Sequence, residues 1–524
     1  MNPLLVVSTM VRRGLIGPNL PHRTAGQLHS LATWGMSLVG EVRQAALGFP
    51  GRVAVIDQDR GRTTYAELFE RGMRAAVALR ERGITGEKRV GLMARNHVGA
   101  VEVMVGASAL GVDLVLVNTG LAGEQLALVL EQQGLDLLIH DNEFDEAVSG
   151  LPESLETVSE TEFAATLDQV ARGSAVDKPE QAGRIIILTS GTTGVPRGAA
   201  RKTPKGLGAL VSMIDRIPLH VGDRILISAP IFHTWGYAAL QLSFGLSATV
   251  ILRRRFDPAD AVAALEEHDA HIMFAVPVML QRMLERLPAD PSGRARRRSL
   301  RVVATSGSAY PSGFTTRFMD EYGDVLHNLY GSTEASWICI ATPKDLRRHP
   351  DTAGTPPLGT TVRILDEDGN DVPEGEVGRI FCGNEMVFEG YTSGESKDFV
   401  DGMVSTGDMG HVEDGLYFVD GRNDDMVISG GENVYPSEVE GLLSAHPDVA
   451  EVSVVGVPDA EFGQRLAAFV TLAPGAELSA DGVRDLVRSQ RARHCVPREV
   501  VFLDELPRNA TGKVLTRDLR ARFQ

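Results

Sequence analysis

An apolar run, Arg184-Ile-Ile-Ile-Leu188, leads directly into Thr189-Ser-Gly-Thr-Thr-Gly-Val-Pro-Arg-Gly198. The first part is typical of a buried strand, and the second is a loop rich in glycine and hydroxyl side chains. Glycines let the backbone approach an anion closely, and hydroxyls and backbone N–H groups donate hydrogen bonds to it. The loop therefore predicts a polyphosphate site, with a surface turn as the alternative. It is neither a Walker A motif nor a dinucleotide-binding fingerprint.

The composition is that of an ordinary globular protein with more than one domain. The chain has 524 residues, of which 43% are hydrophobic and 23% charged. A net charge of -17 argues against a nucleic-acid partner, and the basic runs 253–255 and 294–298 are expected in solvated loops. Cys339, Cys382 and Cys495 are odd in number and far apart, which fits neither a disulfide framework nor a zinc site. A reducing cytoplasm is therefore the expected location.

The N-terminal segment, residues 1–47, contains an amphipathic pattern. Apolar residues recur every three or four positions and predict one helix over 27–47. We expect this helix to pack on the body of the protein, with peripheral contact to a membrane as the alternative. No run approaches 18 apolar residues, so no membrane-spanning segment is expected.

The next region alternates between strand and helix patterns. Thr64-Tyr-Ala-Glu67 is a capping box that opens a helix to about Arg82. Alternation of this kind predicts parallel sheets covered by helices. Residues 150–180 are polar and suggest a linker between two α/β units. The other expected elements are strands 89–94, 113–117, 135–139, 224–229, 248–252, 271–276 and 301–305 and helices 99–110 and 123–133.

The last third of the chain has two further patterns. Beyond Pro356, short strands with Gly, Pro and Asp turns predict a small β unit. After Asp420 the pattern is α+β, with helices 438–444 and 480–491 and strands 449–457 and 466–472. The sequence therefore predicts an α/β protein with a large N-terminal domain, 48–421, of two α/β subdomains and a small β subdomain. A separate α+β C-terminal domain, 425–524, follows a boundary at 422–425.

Several motifs, in order over residues 50 to 515, resemble the adenylate-forming superfamily of acyl-CoA synthetases, firefly luciferases and peptide-synthetase adenylation domains. Besides the phosphate loop, they are Tyr330-Gly-Ser-Thr-Glu334, Thr406-Gly-Asp408, Gly421-Arg422 and Pro507-Arg-Asn-Ala-Thr-Gly-Lys513. The resemblance implies an enzyme that binds ATP, Mg²⁺ and a carboxylic acid. The acid attacks the α-phosphate, pyrophosphate leaves and an acyl-adenylate remains, without an enzymic nucleophile.

The resemblance also implies roles for individual residues in the nucleotide site. Tyr330 stacks on adenine, Thr333 meets the phosphates and Glu334 holds Mg²⁺, while Asp408 and Arg422 hold the ribose hydroxyls. Arg197 stands where the family usually has lysine, which keeps the charge but not its point geometry. The nucleotide-binding set is Thr189, Ser190, Gly191, Thr192, Thr193, Gly194, Arg197, Ser306, Gly307, Ser308, Tyr330, Gly331, Ser332, Asp408 and Arg422.

The catalytic residues implied by the resemblance are Lys513, Glu334, Thr333 and His233. Lys513 bridges the substrate carboxylate and the nucleotide, and His233 lies near the carboxyl end of the acyl pocket. The expected pocket walls are Trp235, Gly236 and Tyr237, for which core packing is the alternative.

The second half reaction transfers the acyl group to CoA. The resemblance implies that a mobile C-terminal domain rotates about a hinge at Asp424. Rotation removes Lys513 and brings in Ser429, Gly430 and Gly431, whose small side chains line a CoA tunnel.

These inferences identify the chain as similar to actinobacterial fatty-acid–CoA ligases, acid–thiol ligases that form AMP. The identity of the acid is left open, and a homodimer is expected only because it is the commonest assembly. One alternative keeps adenylation but passes the acyl group to an amine or a carrier protein. A second is a nucleotide-binding protein without turnover.

Overall fold

The computed structural model describes residues 3–17, 21–189, 197–201, 206–286, 299–311, 313–392, 394, 396–422, 427–429, 432–459, 463–491, 493–509 and 512–523. Within these residues the strands form four sheets, of eight, six, five and five strands. Two sheets are mainly parallel and two mainly antiparallel, and this mixture of sheets and helices confirms the predicted α/β class.

The helices and strands have the following bounds. The helices are α1 Pro3–Arg12, α2 Pro21–Trp34, α3 Leu38–Gly48, α4 Tyr65–Glu81, α5 Val98–Leu110, α6 Gly123–Gln133, α7 Asp145–Val148, α8 Glu160–Gln169, α9 Gly208–Arg216, α10 Thr234–Gly245, α11 Pro258–Glu267, α12 Pro277–Glu285, α13 Phe314–Tyr322, α14 Pro343–Arg348, α15 Pro436–Ser444, α16 Ala480–Gln490 and α17 Thr516–Arg520. The strands are β1 Val53–Asp57, β2 Gly61–Thr64, β3 Arg89–Met93, β4 Asp113–Leu116, β5 Leu137–His140, β6 Glu156–Ser159, β7 Ile185–Thr189, β8 Arg197–Arg201, β9 Arg224–Ile227, β10 Thr249–Leu252, β11 Ile272–Ala275, β12 Val302–Thr305, β13 Leu326–Ser332, β14 Ser336–Ala341, β15 Thr361–Leu365, β16 Gly378–Gly383, β17 Phe399–Val400, β18 Met403–Glu413, β19 Leu416–Arg422, β20 Val427–Ser429, β21 Glu432–Val434, β22 Val449–Asp459, β23 Gly463–Leu472 and β24 Glu499–Phe502.

The eight-stranded sheet has the order β14-β13-β12-β11-β9-β10-β1-β2. Its inner strands are parallel, and the edge strands β14 and β2 pair antiparallel with their neighbours. The carboxyl ends of parallel strands face the same edge of a sheet, where α/β proteins bind ligands. The loops that follow β9, β11, β12 and β13 therefore meet on one side.

The six-stranded sheet has the order β6-β5-β3-β4-β7-β8, parallel except for the pair β7 and β8. The interpretation of 150–180 as a linker is wrong in part, because β6 and α8 lie within it. Ser159 caps α8 by accepting a hydrogen bond from the Glu162 N–H, and Val158, Phe163 and Leu167 are buried. An edge strand and a surface helix need few apolar residues, so their pattern in the sequence is weak.

The predicted capping box of α4 is confirmed, whereas the predicted N-terminal helix is wrong in its continuity. Thr64 and Glu67 exchange both capping hydrogen bonds at the start of α4. The chain breaks between α2 and α3 at Gly35, with φ of 62°, and Ser37 caps α3. Leu38 and Val42 on α3 are buried, which favours packing on the body for that helix.

The basic run 253–255 is paired with acidic side chains instead of being left in a solvated loop. Arg254 contacts Asp141 at 3.3 Å and Glu160 at 2.8 Å. Both carboxylates also lie near His97, in a group close enough to hold a metal ion. Because the guanidinium already neutralises these carboxylates, we interpret the group as an ion-pair network that links β10 to the six-stranded sheet.

The predicted pattern of the C-terminal region is confirmed as a five-stranded sheet with α15 and α16. Among the described residues, no helix combines the length and the apolar character that crossing a bilayer requires.

Candidate active site

A cavity of about 1520 Å³ opens at the carboxyl ends of the parallel strands. Its walls include residues from motifs that are far apart in the sequence. The residues singled out in the sequence that line it are Arg197, His233, Trp235, Ser306, Gly307, Ser308, Tyr330, Gly331, Ser332, Thr333, Glu334, Asp408, Arg422 and Lys513.

Tyr330 and the two expected ribose ligands form one cluster. Strand pairing sets Asp408 on β18 opposite Arg422 on β19, and the Arg422 Nε lies 3.6 Å from Asp408 Oδ1. The Tyr330 hydroxyl donates to Asp408 Oδ2 at 2.5 Å. Burial raises the pKa of Asp408, although the Tyr330 hydrogen bond and the charges of Arg422, Lys397 and Lys513 oppose it. The cluster offers a carboxylate and a guanidinium to a ligand that carries hydroxyl groups.

Glu334 lies in the turn between β13 and β14. The Tyr391 hydroxyl donates to Glu334 Oε1 at 2.6 Å. Burial raises the pKa of Glu334, but the charge of Lys397 and the Tyr391 hydrogen bond outweigh it, so the pKa is lowered. A charged oxygen ligand in a cavity fits Mg²⁺ bound with phosphates, since Mg²⁺ prefers one or two carboxylates plus phosphate oxygens.

Thr333 connects the β13 turn to the start of α10. Its Oγ1 lies 2.9 Å from Thr234 Oγ1, and His233 precedes the helix in extended conformation. His233 is half-buried and lines the cavity. His233, expected at the acyl pocket, and Thr333, expected at the phosphates, therefore lie close together.

The Lys513 loop reaches the cavity from the C-terminal region. Asn509 Oδ1 accepts from the Lys513 N–H at 2.9 Å, and the Asn509 N–H donates to Lys513 O at 2.9 Å. Gly512 has φ of 82°, and a Cβ there would lie 2.4 Å from Val278 Cγ1 on α12. The loop therefore packs closely on α12, with Lys513 exposed toward the cavity.

Some predicted site residues lie elsewhere. Gly236 and Tyr237 are buried and are not among the residues that line the cavity. A Cβ on Gly236 would lie 2.1 Å from Pro230 O, so close backbone packing explains this glycine. Gly236 and Tyr237 therefore pack in the core and do not form the expected pocket wall, whereas Trp235 lines the cavity.

Other predicted residues cannot be placed. Ser190, Gly191, Thr192, Thr193, Gly194, Asp424, Gly430 and Gly431 lie outside the described residues, and Thr189 and Ser429 are described only as the last residues of β7 and β20.

Two cavity residues that act on Glu334 were missed in the sequence. Lys397 donates to Thr406 O at 2.8 Å and lowers the pKa of Glu334, and Tyr391 binds Glu334 directly. Both lie in the irregular stretch before β18, where no periodic pattern or motif distinguishes them. By contrast, the helical spacing of Thr234, Ala238 and Gln241 could have revealed the lining face of α10.

Known proteins resemble the chain over most of its length. The AMP-binding enzyme family matches residues 42–392, and the AMP-binding enzyme C-terminal domain matches 438–513. Indoleacetate–CoA ligase of Aromatoleum aromaticum is 34% identical over 496 residues, which cover 90% of this chain and 95% of that protein. Feruloyl-CoA synthase of an Amycolatopsis species is 33% identical over 470 residues, which cover 88% and 94%.

A solved structure shows the same architecture. It is o-succinylbenzoate CoA synthetase from Bacillus subtilis in complex with its acyl-adenylate intermediate, with a TM-score of 0.80 and 29% identity. The match covers 92% of this chain and 97% of that one. The chain therefore belongs to the AMP-binding enzyme family and is an AMP-forming acid–thiol ligase of the adenylate-forming superfamily.

Proposed function

We propose that this protein activates an aryl carboxylic acid with ATP and transfers the acyl group to CoA, releasing pyrophosphate and AMP. The observation that carries the proposal is the cavity in which Lys513, Glu334, Asp408 and Arg422 meet. These charged groups suit a nucleotide with a reacting phosphate, and apolar walls continue from them along α10.

In the first half reaction, the protein positions two anions and neutralises charge that spreads over the phosphate oxygens. Asp408 and Arg422 hold the ribose, and Tyr330 supplies a flat face for the base. Lys513 lies between the acid carboxylate and the α-phosphate. Glu334 would hold the Mg²⁺ that accompanies ATP, and this ion would supply further neutralisation of phosphate charge.

In the second half reaction, a thiol must reach the carbonyl carbon of the adenylate. Lys513 lines the cavity. We propose that the loop that carries Lys513 has to leave before CoA can enter. We propose that the C-terminal domain rotates at Asp424 and that Ser429, Gly430 and Gly431 then line the CoA path.

The aryl substrate class replaces the fatty acid expected from the sequence. The names of both relatives above refer to acids with aromatic rings, indoleacetate and ferulate. The buried Trp235, whose Nε1 donates to Ala275 O at 3.1 Å, offers a rigid wall of the kind that packs on a ring. Neither of these two names refers to a fatty acid.

The test is acid-dependent pyrophosphate release with aryl acids and with short, medium and long fatty acids, each with and without CoA. The proposal predicts that aryl acids turn over best and that CoA increases turnover and yields an aryl-CoA. Pyrophosphate release that CoA does not change would indicate an amine or carrier protein as acceptor. Release with fatty acids alone would contradict the aryl class, and no release with any acid would contradict adenylation.

A further inference from the structure

One part of the cavity is bounded by α9, α10 and the turn before α3. Its walls are mainly apolar, which suits the hydrocarbon body of an acid substrate. The apolar lining residues here are Met36, Ala209, Leu210, Met213, Ala238 and Leu242.

Helix α10 runs along this part of the cavity. Thr234, at its start, contacts Thr333 beside the phosphate candidates. Gly245, at its end, packs near Met36 and Leu210. With a rise of 1.5 Å per residue, the eleven steps from Thr234 to Gly245 span about 16 Å. The space along the helix is long enough for a ring-bearing acid that extends away from its carboxylate.

The carboxyl group of Glu41, on α3, lies near the C-terminal end of α10. Glu41 lines the cavity, yet only 3% of the residue is exposed. A Cβ placed on Gly245 would lie 3.9 Å from Glu41 Oε1, 3.6 Å from Leu210 Cδ2 and 3.7 Å from Met36 Cε. The carboxyl group therefore lies near the glycine of α10, as do apolar atoms of Leu210 and Met36.

Glu41 is also unsatisfied within the protein. Its Oε2 is buried and has no hydrogen-bond partner among the residues that the structure describes. Burial raises the pKa of Glu41 well above its usual range, and no cation of the described chain opposes this effect. An unpaired buried carboxyl destabilises a protein unless a partner satisfies it.

A role in capping α3 does not explain this carboxyl. Acidic residues in the first turn of a helix often bind the free N–H groups there. In α3, however, Ser37 Oγ accepts from the Gly40 N–H at 3.3 Å, and the Glu41 N–H donates to Ser37 O. The side chain of Glu41 points instead to the cavity that it lines.

We propose that Glu41 determines substrate specificity by binding a hydrogen-bond donor, a hydroxyl or N–H group, at the end of the acid remote from its carboxylate. This inference rests on the proposed function, because it names a feature of the acid that the same cavity activates. A neutral carboxyl can accept from such a donor through its carbonyl oxygen. The substrate thus completes the hydrogen bonding that Glu41 lacks within the protein.

The expected consequence is discrimination between acids of the same shape. An acid with a methyl group in place of the hydroxyl leaves Glu41 buried and unpaired after binding. We expect such an acid to lose on the order of ten- to a hundredfold in kcat/KM for adenylation.

The experiment compares matched pairs of acids at two lengths. The pairs are para-hydroxycinnamate with para-methylcinnamate and para-hydroxyphenylacetate with para-methylphenylacetate. The measurement is kcat/KM for pyrophosphate release with the wild-type enzyme, Glu41→Leu, Glu41→Gln and Gln241→Leu. Gln241 serves as the comparison because it is a second polar side chain that lines this part of the cavity.

The proposal predicts a preference for the hydroxylated acid in at least one pair with the wild-type enzyme. Glu41→Leu should abolish this preference while it retains turnover of the methylated acid. Glu41→Gln should keep part of the preference, because its amide oxygen still accepts a hydrogen bond. The thermal midpoint of Glu41→Leu without substrate should not fall, since the variant removes an unsatisfied buried carboxyl.

Several results would overturn the inference and leave the proposed function intact. One is that the wild-type enzyme has equal kcat/KM for the two acids of each pair. Another is that the preference persists in Glu41→Leu or is lost only in Gln241→Leu. Loss of all turnover in a Glu41→Leu variant that remains folded would also overturn it, because it would assign Glu41 to catalysis. Failure of the wild-type enzyme to release pyrophosphate with any acid would contradict the proposed function and, with it, this inference.

Discussion

At Asp408, burial and its neighbours act in opposite directions on one carboxyl group. Burial raises the pKa, while the Tyr330 hydroxyl at 2.5 Å and three nearby cations lower it. The balance leaves the pKa above its ordinary value. An ionised carboxylate accepts hydrogen bonds from ribose hydroxyls more strongly than a neutral carboxyl does, so the contact with Tyr330 extends the pH range in which Asp408 would bind ribose tightly.

Tyr330→Phe removes this hydrogen bond and should raise the pKa of Asp408 further. We expect the KM for ATP to rise about fivefold at neutral pH. The acid limb of the pH profile for adenylation should move to higher pH, since Asp408 then becomes protonated at a higher pH. The measurement is kcat/KM for ATP against pH.

The control is Tyr417→Phe. The Tyr417 hydroxyl donates to Val362 O at 3.1 Å, and Tyr417 does not line the cavity. This variant should keep the wild-type profile. An acid limb that stays in place in Tyr330→Phe would show that Asp408 does not act as an ionised ligand.

At the scale of an element, the Pro507–Lys513 loop depends on close packing against α12. Gly512 adopts a left-handed conformation, and its missing side chain leaves room for Val278. Any side chain at position 512 has to push the loop away from α12. The position of Lys513 in the cavity is therefore set by a neighbouring residue that touches no substrate.

Gly512→Ala should lower the rate of adenylation by at least tenfold, because it displaces Lys513. Thioester formation from a supplied aryl-adenylate should change much less. Gly475→Ala is a matched control, since Gly475 has a similar φ of 78° but no atom within 4 Å of the place that a Cβ would take. Both variants carry the strain of a left-handed alanine, about 1 kcal/mol.

The double variant Gly512→Ala/Val278→Ala removes the contacted methyl group and should recover part of the adenylation rate. Equal losses in Gly512→Ala and Gly475→Ala would attribute the effect to backbone strain and contradict the packing account.

At the scale of the whole molecule, one cavity has to serve two reactions. Lys513 and Asp408 lie close enough for the lysine charge to act on the carboxyl, which is the arrangement that the proposed adenylation step requires. The proposed transfer to CoA requires a different arrangement of the C-terminal domain. The hinge at Asp424 stays a prediction, because residue 424 lies outside the described residues.

Asp424→Pro fixes φ near −65° and should oppose rotation at this position. We expect nearly normal adenylation and a loss of thioester formation by at least an order of magnitude. Asp424→Ala, which leaves φ free, should support both half reactions. Equal impairment of both half reactions in Asp424→Pro would argue against a hinge here.

The sequence predicted the repeating elements better than the irregular ones. The α/β alternation and the capping box of α4 follow from local patterns and are confirmed. The break at Gly35 was missed because the apolar period continues across it, and the edge strand β6 has too few apolar residues to stand out.

The candidate site shows the same limit. Linear motifs predicted which residues line the cavity, whereas Lys397 and Glu41 reach it only through tertiary packing. Gly236 and Tyr237 were assigned to the pocket together with Trp235, in the stretch that follows His233, but neighbours on a helix point in different directions.

The most direct test of the proposed chemistry separates the two half reactions in Lys513→Ala, with Lys178→Ala, an exposed lysine, as control. Adenylation is measured as acid-dependent exchange of pyrophosphate into ATP, and thioester formation as aryl-CoA produced from a supplied aryl-adenylate. The account predicts that Lys513→Ala loses on the order of a hundred- to a thousandfold in the exchange and retains thioester formation. Exchange near the wild-type rate in Lys513→Ala would contradict it.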